Sequence, residues 1–346
     1  MRYVLILSGG VGSRFWPLSR QNKPKQFLKI CSNNSLIEDT LARVRPLVSR
    51  ENTYIAASSI HSQKIKGYLK RAGIPARNVL FEPEAKNTLG PIALLTKKIV
   101  SLDPEAVITV LPCDHFVKDR LKFLKLIRKG IGIAEHGYIV TLGVPPDRPE
   151  TGYGYIKIKS RHRDFCTVAG FTEKPDLARA RVFLKDSRYY WNAGVFIFRA
   201  DIMLGEISRY ALATHRIINE IKGLKSFKKL WRKLPFISID YAVMERSKKI
   251  ALLPADYGWT DLGSWQSLRE IIKKDKQGNI FKGNCIDIGS KNSLAWSEDK
   301  LVATLGLDNI FVINTEDALL VFRAERAQEI KQLVELLRQK KLYRQT

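Results

Sequence analysis

Asp114 closes the run Val110-Leu111-Pro112-Cys113-Asp114-His115. A carboxylate at the C-terminal end of a buried strand lies where open α/β sheets bind ligands. It suits Mg2+ held between phosphates, because that ion keeps its waters and takes only one or two carboxylates. It also suits the N-cap of a following helix. His115 reads as structural. Asp261, in Gly258-Trp259-Thr260-Asp261-Leu262-Gly263-Ser264-Trp265, is the second candidate metal carboxylate. Arg14 and Lys25 stand in or just after the glycine loop Leu7-Ser8-Gly9-Gly10-Val11-Gly12-Ser13 and add charge where a triphosphate would sit. Glycines after a strand let backbone N–H groups close around phosphate oxygens, or simply make a tight turn. Arg14, Pro17 and Pro24-Lys25 favour the phosphate reading. The loop lacks the Gly-Lys-Ser/Thr of a Walker A motif and does not follow GxGxxG.

Three further segments have a functional and a plain structural meaning. Glu82-Pro83-Glu84-Ala85-Lys86-Asn87-Thr88 links a strand to a helix. It offers a polar rim for a base, or a helix cap through Asn87 or Thr88. Gly152-Tyr153-Gly154 suggests close backbone approach to a sugar ring, or a bulged hairpin entry. Glu173-Lys174-Pro175 could accept from sugar hydroxyls through Glu173 and pair with a phosphate through Lys174, or be an exposed turn. Asn192, in Tyr190-Trp191-Asn192-Ala193-Gly194, is a candidate sugar contact. Trp191, Trp259 and Trp265 read as packing.

The elements that must position these residues alternate over the first two thirds of the chain. Strands are expected at Tyr3–Leu7, Thr53–Ala57, Val79–Phe81, Ala106–Leu111 and Tyr138–Gly143. Helices are expected at Leu36–Leu47, Ser62–Ala72, Gly90–Ser101 and Phe116–Glu135. This rhythm implies an α/β fold, with a Rossmann-like, mostly parallel mixed sheet flanked by helices. Strands at Gly154–Lys159, Val168–Glu173 and Ala193–Arg199, with a helix at Leu177–Leu184, continue it. A helical region follows to about Lys233. From Asn279 short strands recur: Gly283–Ile288, Ser293–Trp296, Leu301–Leu305, Ile310–Asn314 and Ala318–Phe322. A basic amphipathic helix, about Glu325 to Lys341, closes the chain. A charged stretch near Lys273–Gly278 divides domains at 1–273 and 279–346.

The chain has 346 residues, 45% of them apolar, enough for a substantial core. Fifty-nine Lys and Arg against 34 Asp and Glu give a net charge of +25. That excess suits an anionic partner or a generally basic surface, and its spread along the chain favours the surface. The densest stretch, Arg209 to Lys233, has helical spacing and reads as a solvated helix face, so no nucleic acid is expected. No apolar run approaches the ~20 residues of a membrane span, and no membrane is expected. The start lacks a cleavage pattern. The four cysteines form no CxxC pair, which fits reduced thiols in a cytoplasm.

Taken together, the motifs resemble the sugar-1-phosphate nucleotidylyltransferases, most closely the guanylyl branch. The family loop GGxGTRLWPLSR…PKQF is similar to Gly9–Arg20 and Pro24–Phe27. EPxxRNT, PADH, RPxTGYGYI, EKP, WNSG and GWxDxGSW are similar to the segments above. Ser13, Phe15, Lys86, Cys113 and Ala193 depart from the pattern; Lys86 loses the bidentate geometry of Arg. The resemblance spans nearly the whole chain and implies a small C-terminal left-handed β-helix-like domain. The chain stops before any appended cupin, so fused isomerase activity is not expected.

The resemblance implies GMP transfer from GTP to mannose 1-phosphate, giving GDP-mannose and pyrophosphate with Mg2+ or another divalent cation. It gives catalytic roles to Arg14, Lys25, Asp114, Lys174 and Asp261, with Asp114 and Asp261 on the metal. It places the nucleotide on Leu7, Ser8, Gly9, Gly10, Gly12, Ser13, Glu82, Asn87, Thr88 and Pro112. It places the sugar on Gly152, Tyr153, Gly154, Glu173 and Asn192. A homodimer is a family-level expectation. The alternatives are guanylyl transfer to another sugar phosphate, such as a heptose phosphate, or a non-catalytic regulatory subunit. Retention of Arg14, Lys25, Asp114, Lys174 and Asp261 argues against the second.

Overall fold

The protein is described by a computed structural model over residues 1–10 and 12–342. Val11 of the glycine loop lies outside the described residues. Fifteen strands are formed among them: β1 (Arg2–Ser8), β2 (Thr53–Ser58), β3 (Val79–Glu82), β4 (Val107–Pro112), β5 (Phe116–Val117), β6 (Ile139–Val144), β7 (Tyr155–Arg161), β8 (Cys166–Thr172), β9 (Tyr189–Arg199), β10 (Ile250–Pro254), β11 (Trp259–Thr260), β12 (Ile280–Ile288), β13 (Leu294–Leu305), β14 (Ile310–Asn314) and β15 (Leu319–Arg323). They are distributed over two compact units. The first contains Met1–Gly9, Thr40–Cys113 and Val117–Trp259. The second contains Gly10–Asp39, Asp114–Phe116 and Thr260 onward.

In the first unit nine strands form one mixed sheet in the order β3-β2-β1-β4-β9-β6-β10-β8-β7. β1 to β4 pair in parallel, as the βαβ rhythm predicts. β9 enters antiparallel to both β4 and β6. The continuous apolar character of β1, β2, β4 and β6 fits strands buried on both faces. The helices Leu89–Val100 and Ala200–Tyr210 bury Ile92, Leu95, Met203 and Ile207 in the same core as Leu5, Ile108 and Phe198. Burying each such side chain contributes about 1.5–3 kcal/mol.

The expected helix from Phe116 begins instead at Arg120, because Phe116–Val117 is extended. Asp119 caps the helix by accepting the Lys122 N–H at 2.9 Å. Strand β10 and the turn Asp240–Met244 lie in a stretch for which no element was predicted.

In the second unit β12 pairs in parallel with β13, β13 with β14, and β15 closes antiparallel on β14. The two strands predicted at Ser293–Trp296 and Leu301–Leu305 are one continuous strand, β13. Gly283 has φ +82°, and a Cβ there would meet the Ser297 carbonyl at 1.8 Å, so only glycine lets β12 and β13 approach. Phe15, Trp16, Leu28, Trp265, Trp296, Phe311 and Ile330 share the core of this unit. The Arg20 guanidinium pairs bidentately with Asp317, at 2.6 and 3.1 Å, and so ties the segment after the glycine loop to the β14–β15 turn. The closing helix is confined to Ile330–Gln339, preceded by a 3-10 turn over Ala324–Glu329.

Candidate active site

Lys25, Asp114 and Asp261, far apart in sequence, meet in the second unit. The Lys25 Nζ lies 2.8 Å from Asp114 Oδ2 and donates to the Asp261 carbonyl at 2.7 Å. Its side chain is 7% exposed, against 26% for Asp114. Burial pushes the Asp114 carboxyl up. The charges of Lys25 and His115, with hydrogen bonds from Lys25 and the backbone, outweigh this and hold it below its usual value. Asp114 is therefore an anion at neutral pH. The Asp261 Oδ1 accepts the Gly263 N–H at 2.8 Å, across a turn in which Leu262 takes φ +50°. Leu262 and Trp265 anchor that turn in the core.

Gly12 takes φ +68°, and a Cβ on it would fall 2.4 Å from the Lys25 Cβ. The glycine loop thus packs directly on the lysine. Arg14 is exposed on the short helical turn Ser13–Phe15.

The sugar-candidate residues converge in the first unit. The register of β6 and β9 shifts between Thr141 and Gly143, the partner of Asn192, and Gly194 takes φ +64° two residues on. Its Oδ1 accepts from the Thr141 hydroxyl at 3.1 Å and the Gly194 N–H at 3.0 Å. Its Nδ2 donates to Asp240 Oδ1 at 3.1 Å. These three bonds fix the amide in one orientation.

The Gly154 carbonyl accepts the Asn192 N–H at 2.8 Å, and a Cβ on Gly154 would lie 2.5 Å from Glu173 Oε2. Lys174, at φ +46°, pairs with Glu173 at 2.8 Å. Burial opposes the Lys174 charge, but Glu173 and Asp240 outweigh it and hold the ammonium above its usual pKa. Tyr153 packs edge-on against Trp191 and tilted against Trp259, with ring centroids 5.2 and 5.1 Å apart. Tyr153 and both tryptophans belong to one apolar cluster, as the packing reading expects. Gly152 is exposed, and its N–H donates to Glu150 Oε1 at 2.9 Å.

The nucleotide candidates of this unit sit at strand ends. Leu7 and Pro112 are register partners on β1 and β4. The Ser8 hydroxyl is buried and has no hydrogen-bond partner among the described residues. Gly9 is exposed, and so is Gly10, which belongs to the second unit. Glu82 is buried at the end of β3, and burial pushes its carboxyl up to about 7 against the opposing Lys86 backbone bond. Asn87, at φ +59°, accepts the Thr88 N–H with its own side chain. The Thr88 hydroxyl accepts the Ile239 N–H at 2.9 Å. Lys86 pairs with Glu84 and donates to the Arg232 carbonyl at 2.7 Å.

The family model described as nucleotidyl transferase matches residues 3–278. The chain belongs to the nucleotidyl transferase family. A second match, to the MannoseP isomerase/GMP-like β-helix domain, covers residues 283–337. A mannose-1-phosphate guanylyltransferase of Salmonella muenchen is 36% identical over 347 residues, covering 96% of this chain and 73% of that protein. A xanthan biosynthesis protein of Xanthomonas campestris pv. campestris is 37% identical over 338 residues, covering 95% of this chain and 72% of that one. A crystal structure from Thermus thermophilus, described as a mannose-1-phosphate geranyltransferase, aligns with a TM-score of 0.90 at 32% identity. It covers 97% of this chain and 99% of its own. The α/β fold with a C-terminal β-helix-like region is thus the family's own. No helix among the described residues is long and apolar enough to cross a membrane.

Sequence reasoning missed Asp240, Tyr241, Glu245 and Thr141, all of which touch Asn192 or Glu173. Thr141 is an ordinary strand residue by its neighbours. Asp240 carries a weak signal, an acid just after the apolar run Phe236-Ile237-Ser238-Ile239. Burial, and next the Glu173 charge, push the Asp240 carboxyl up to about 7.

Proposed function

We propose that the chain transfers GMP from GTP to mannose 1-phosphate, giving GDP-mannose and pyrophosphate. The observation that carries this reading is its 36% identity, over 96% of its length, to a guanylyltransferase for that sugar phosphate. A sugar-phosphate oxygen attacks the α-phosphorus in line and the bond to pyrophosphate breaks. The attacking oxygen is already anionic, so the step needs no general base. Positioning and charge neutralisation supply the acceleration.

Arg14 and Lys25 neutralise the leaving pyrophosphate, and the backbone of Gly9, Gly10, Gly12 and Ser13 cradles the phosphates. Asp114 and Asp261 would hold the divalent cation. Two carboxylates are the donor set that a hard cation such as Mg2+ takes alongside phosphate and water oxygens. Such an ion supplies Lewis-acid stabilisation of charge at the α-phosphate. Lys174 orients the nucleophilic phosphate. Glu173, Asn192 and the Gly152–Gly154 backbone grip the sugar, while Leu7, Ser8, Glu82, Asn87, Thr88 and Pro112 bind the nucleoside end. The 1–273 and 279–346 divisions carry catalysis and its C-terminal support, in a cytoplasmic enzyme working as a homodimer.

Pyrophosphate release with Mg2+ tests this reading, comparing GTP, ATP, UTP, CTP and dTTP against mannose and glucose 1-phosphates. Strong release with GTP and mannose 1-phosphate alone is the expected result. Release with GTP and a different sugar keeps the mechanism and moves the substrate. Silence from a folded protein overturns the assignment.

A further inference from the structure

The turn Asp240–Met244 is a π-helical turn, closed by the Glu245 N–H donating to the Asp240 carbonyl at 3.0 Å. Such turns cost hydrogen-bond geometry and recur at functional sites. This one contacts both sugar-candidate side-chain residues. Asp240 Oδ1 accepts from Asn192 Nδ2 at 3.1 Å. Glu245 Oε1 accepts the Glu173 backbone N–H at 2.9 Å. The Tyr241 hydroxyl donates to the Glu173 carbonyl at 3.4 Å.

The i→i+5 bond sets residues 240 and 245 one above the other. Asp240 therefore reaches Asn192 while Glu245 reaches Glu173. An α-helical turn would rotate the two carboxylates apart. The residues just before the turn are also pinned. Ile239 donates to the Thr88 hydroxyl at 2.9 Å and the Ile237 carbonyl accepts the Leu89 N–H at 3.3 Å.

We propose that Asp240 is a positioning residue for hexose recognition, holding the Asn192 amide so that its remaining N–H meets a sugar hydroxyl, with the π turn as the element that aligns Asn192 and Glu173. This rests on the reading of Glu173 and Asn192 as sugar contacts. Without Asp240, the Gly194 N–H and the Thr141 hydroxyl still hold the amide through its oxygen, but the nitrogen that donates to the sugar loses its own anchor. The substrate class this selects is a hexose phosphate whose ring carries hydroxyls. A wall carrying Glu173 and Asp240 offers acceptors to sugar hydroxyls.

The experiment is steady-state kinetics and thermal melting of wild type, Asp240→Ala, Asp240→Ser and Asp240→Asn. Asp240→Ala and Asp240→Ser are expected to raise KM for mannose 1-phosphate about tenfold, the loss of one charge-assisted bond. KM for GTP stays within about twofold. Asp240→Asn keeps an acceptor oxygen at the same place and restores most of the loss. Equal KM for the sugar phosphate in all four proteins overturns the proposal. So does a parallel rise in both KM values, or failure of both the Ala and Ser variants to fold while Asn behaves as wild type, since these mark a structural role. A wild type inactive with every sugar phosphate instead sinks the functional reading, and this inference with it.

Discussion

Removing the Asp114 carboxylate would leave the Lys25 ammonium, 7% exposed, with the Asp261 carbonyl as its acceptor. Losing that buried partner costs about 1–3 kcal/mol, so Asp114→Ala confounds stability with chemistry. Asp261→Asn is the cleaner variant, because it keeps the backbone carbonyl that accepts from Lys25 and an oxygen to accept the Gly263 N–H. It is expected to lower kcat by at least about 100-fold with the melting temperature unchanged. Full activity would remove Asp261 from the metal role.

Glu82 gives a pH signature. Its ordinary pKa of 4.5 is raised to about 7 by burial. Between these values the folded state keeps a proton that the unfolded chain has lost, so stability falls as pH rises through that window. Glu82→Gln should melt with wild type near pH 4 and above it at pH 8. Equal melting at both would show that Glu82 keeps its ordinary pKa.

At the scale of elements, close approach matters more than side-chain identity. Gly154 precedes β7 and leaves room for the Glu173 carboxylate, which a Cβ would meet at 2.5 Å. Its φ is not in the left-handed region, so alanine costs little backbone strain. Gly154→Ala should therefore raise KM for the sugar phosphate several-fold, with a modest drop in melting because the added Cβ also meets the Phe171 ring at 3.2 Å and the Asn192 Cβ at 3.3 Å. A parallel drop in stability and unaltered KM would place the glycine in packing alone. The same reasoning explains the positive φ at Lys174 and at Leu262. Each lies in a motif turn, beside Glu173 or Asp261, where backbone strain is tolerated because the surrounding contacts over-determine it.

For the molecule as a whole, the charge of +25 bears on encounter with polyanionic substrates. A positive field raises association rates with GTP and is screened by salt over about 8–10 Å at physiological ionic strength. The kcat/KM for GTP is expected to fall several-fold between about 50 and 500 mM KCl, with kcat nearly constant. A flat profile would assign the excess charge to the general surface.

The sequence by itself determined the alternation of elements, the β1–β4 parallel core and the identity of the motif residues, since periodicity and glycine–proline punctuation are local properties. Boundaries held to a few residues for β2, the helix Ser62–Ala72 and β14. Resemblance, not spacing, supplied the base and the sugar. Only the tertiary structure decided that Lys25 bridges Asp114 and the Asp261 backbone, since those three residues come from separate stretches of chain. It alone found the π turn and the contacts of Asp240, because a π turn leaves no periodic signal and an isolated acid beside an apolar run gives only a weak one until its partner is placed against it.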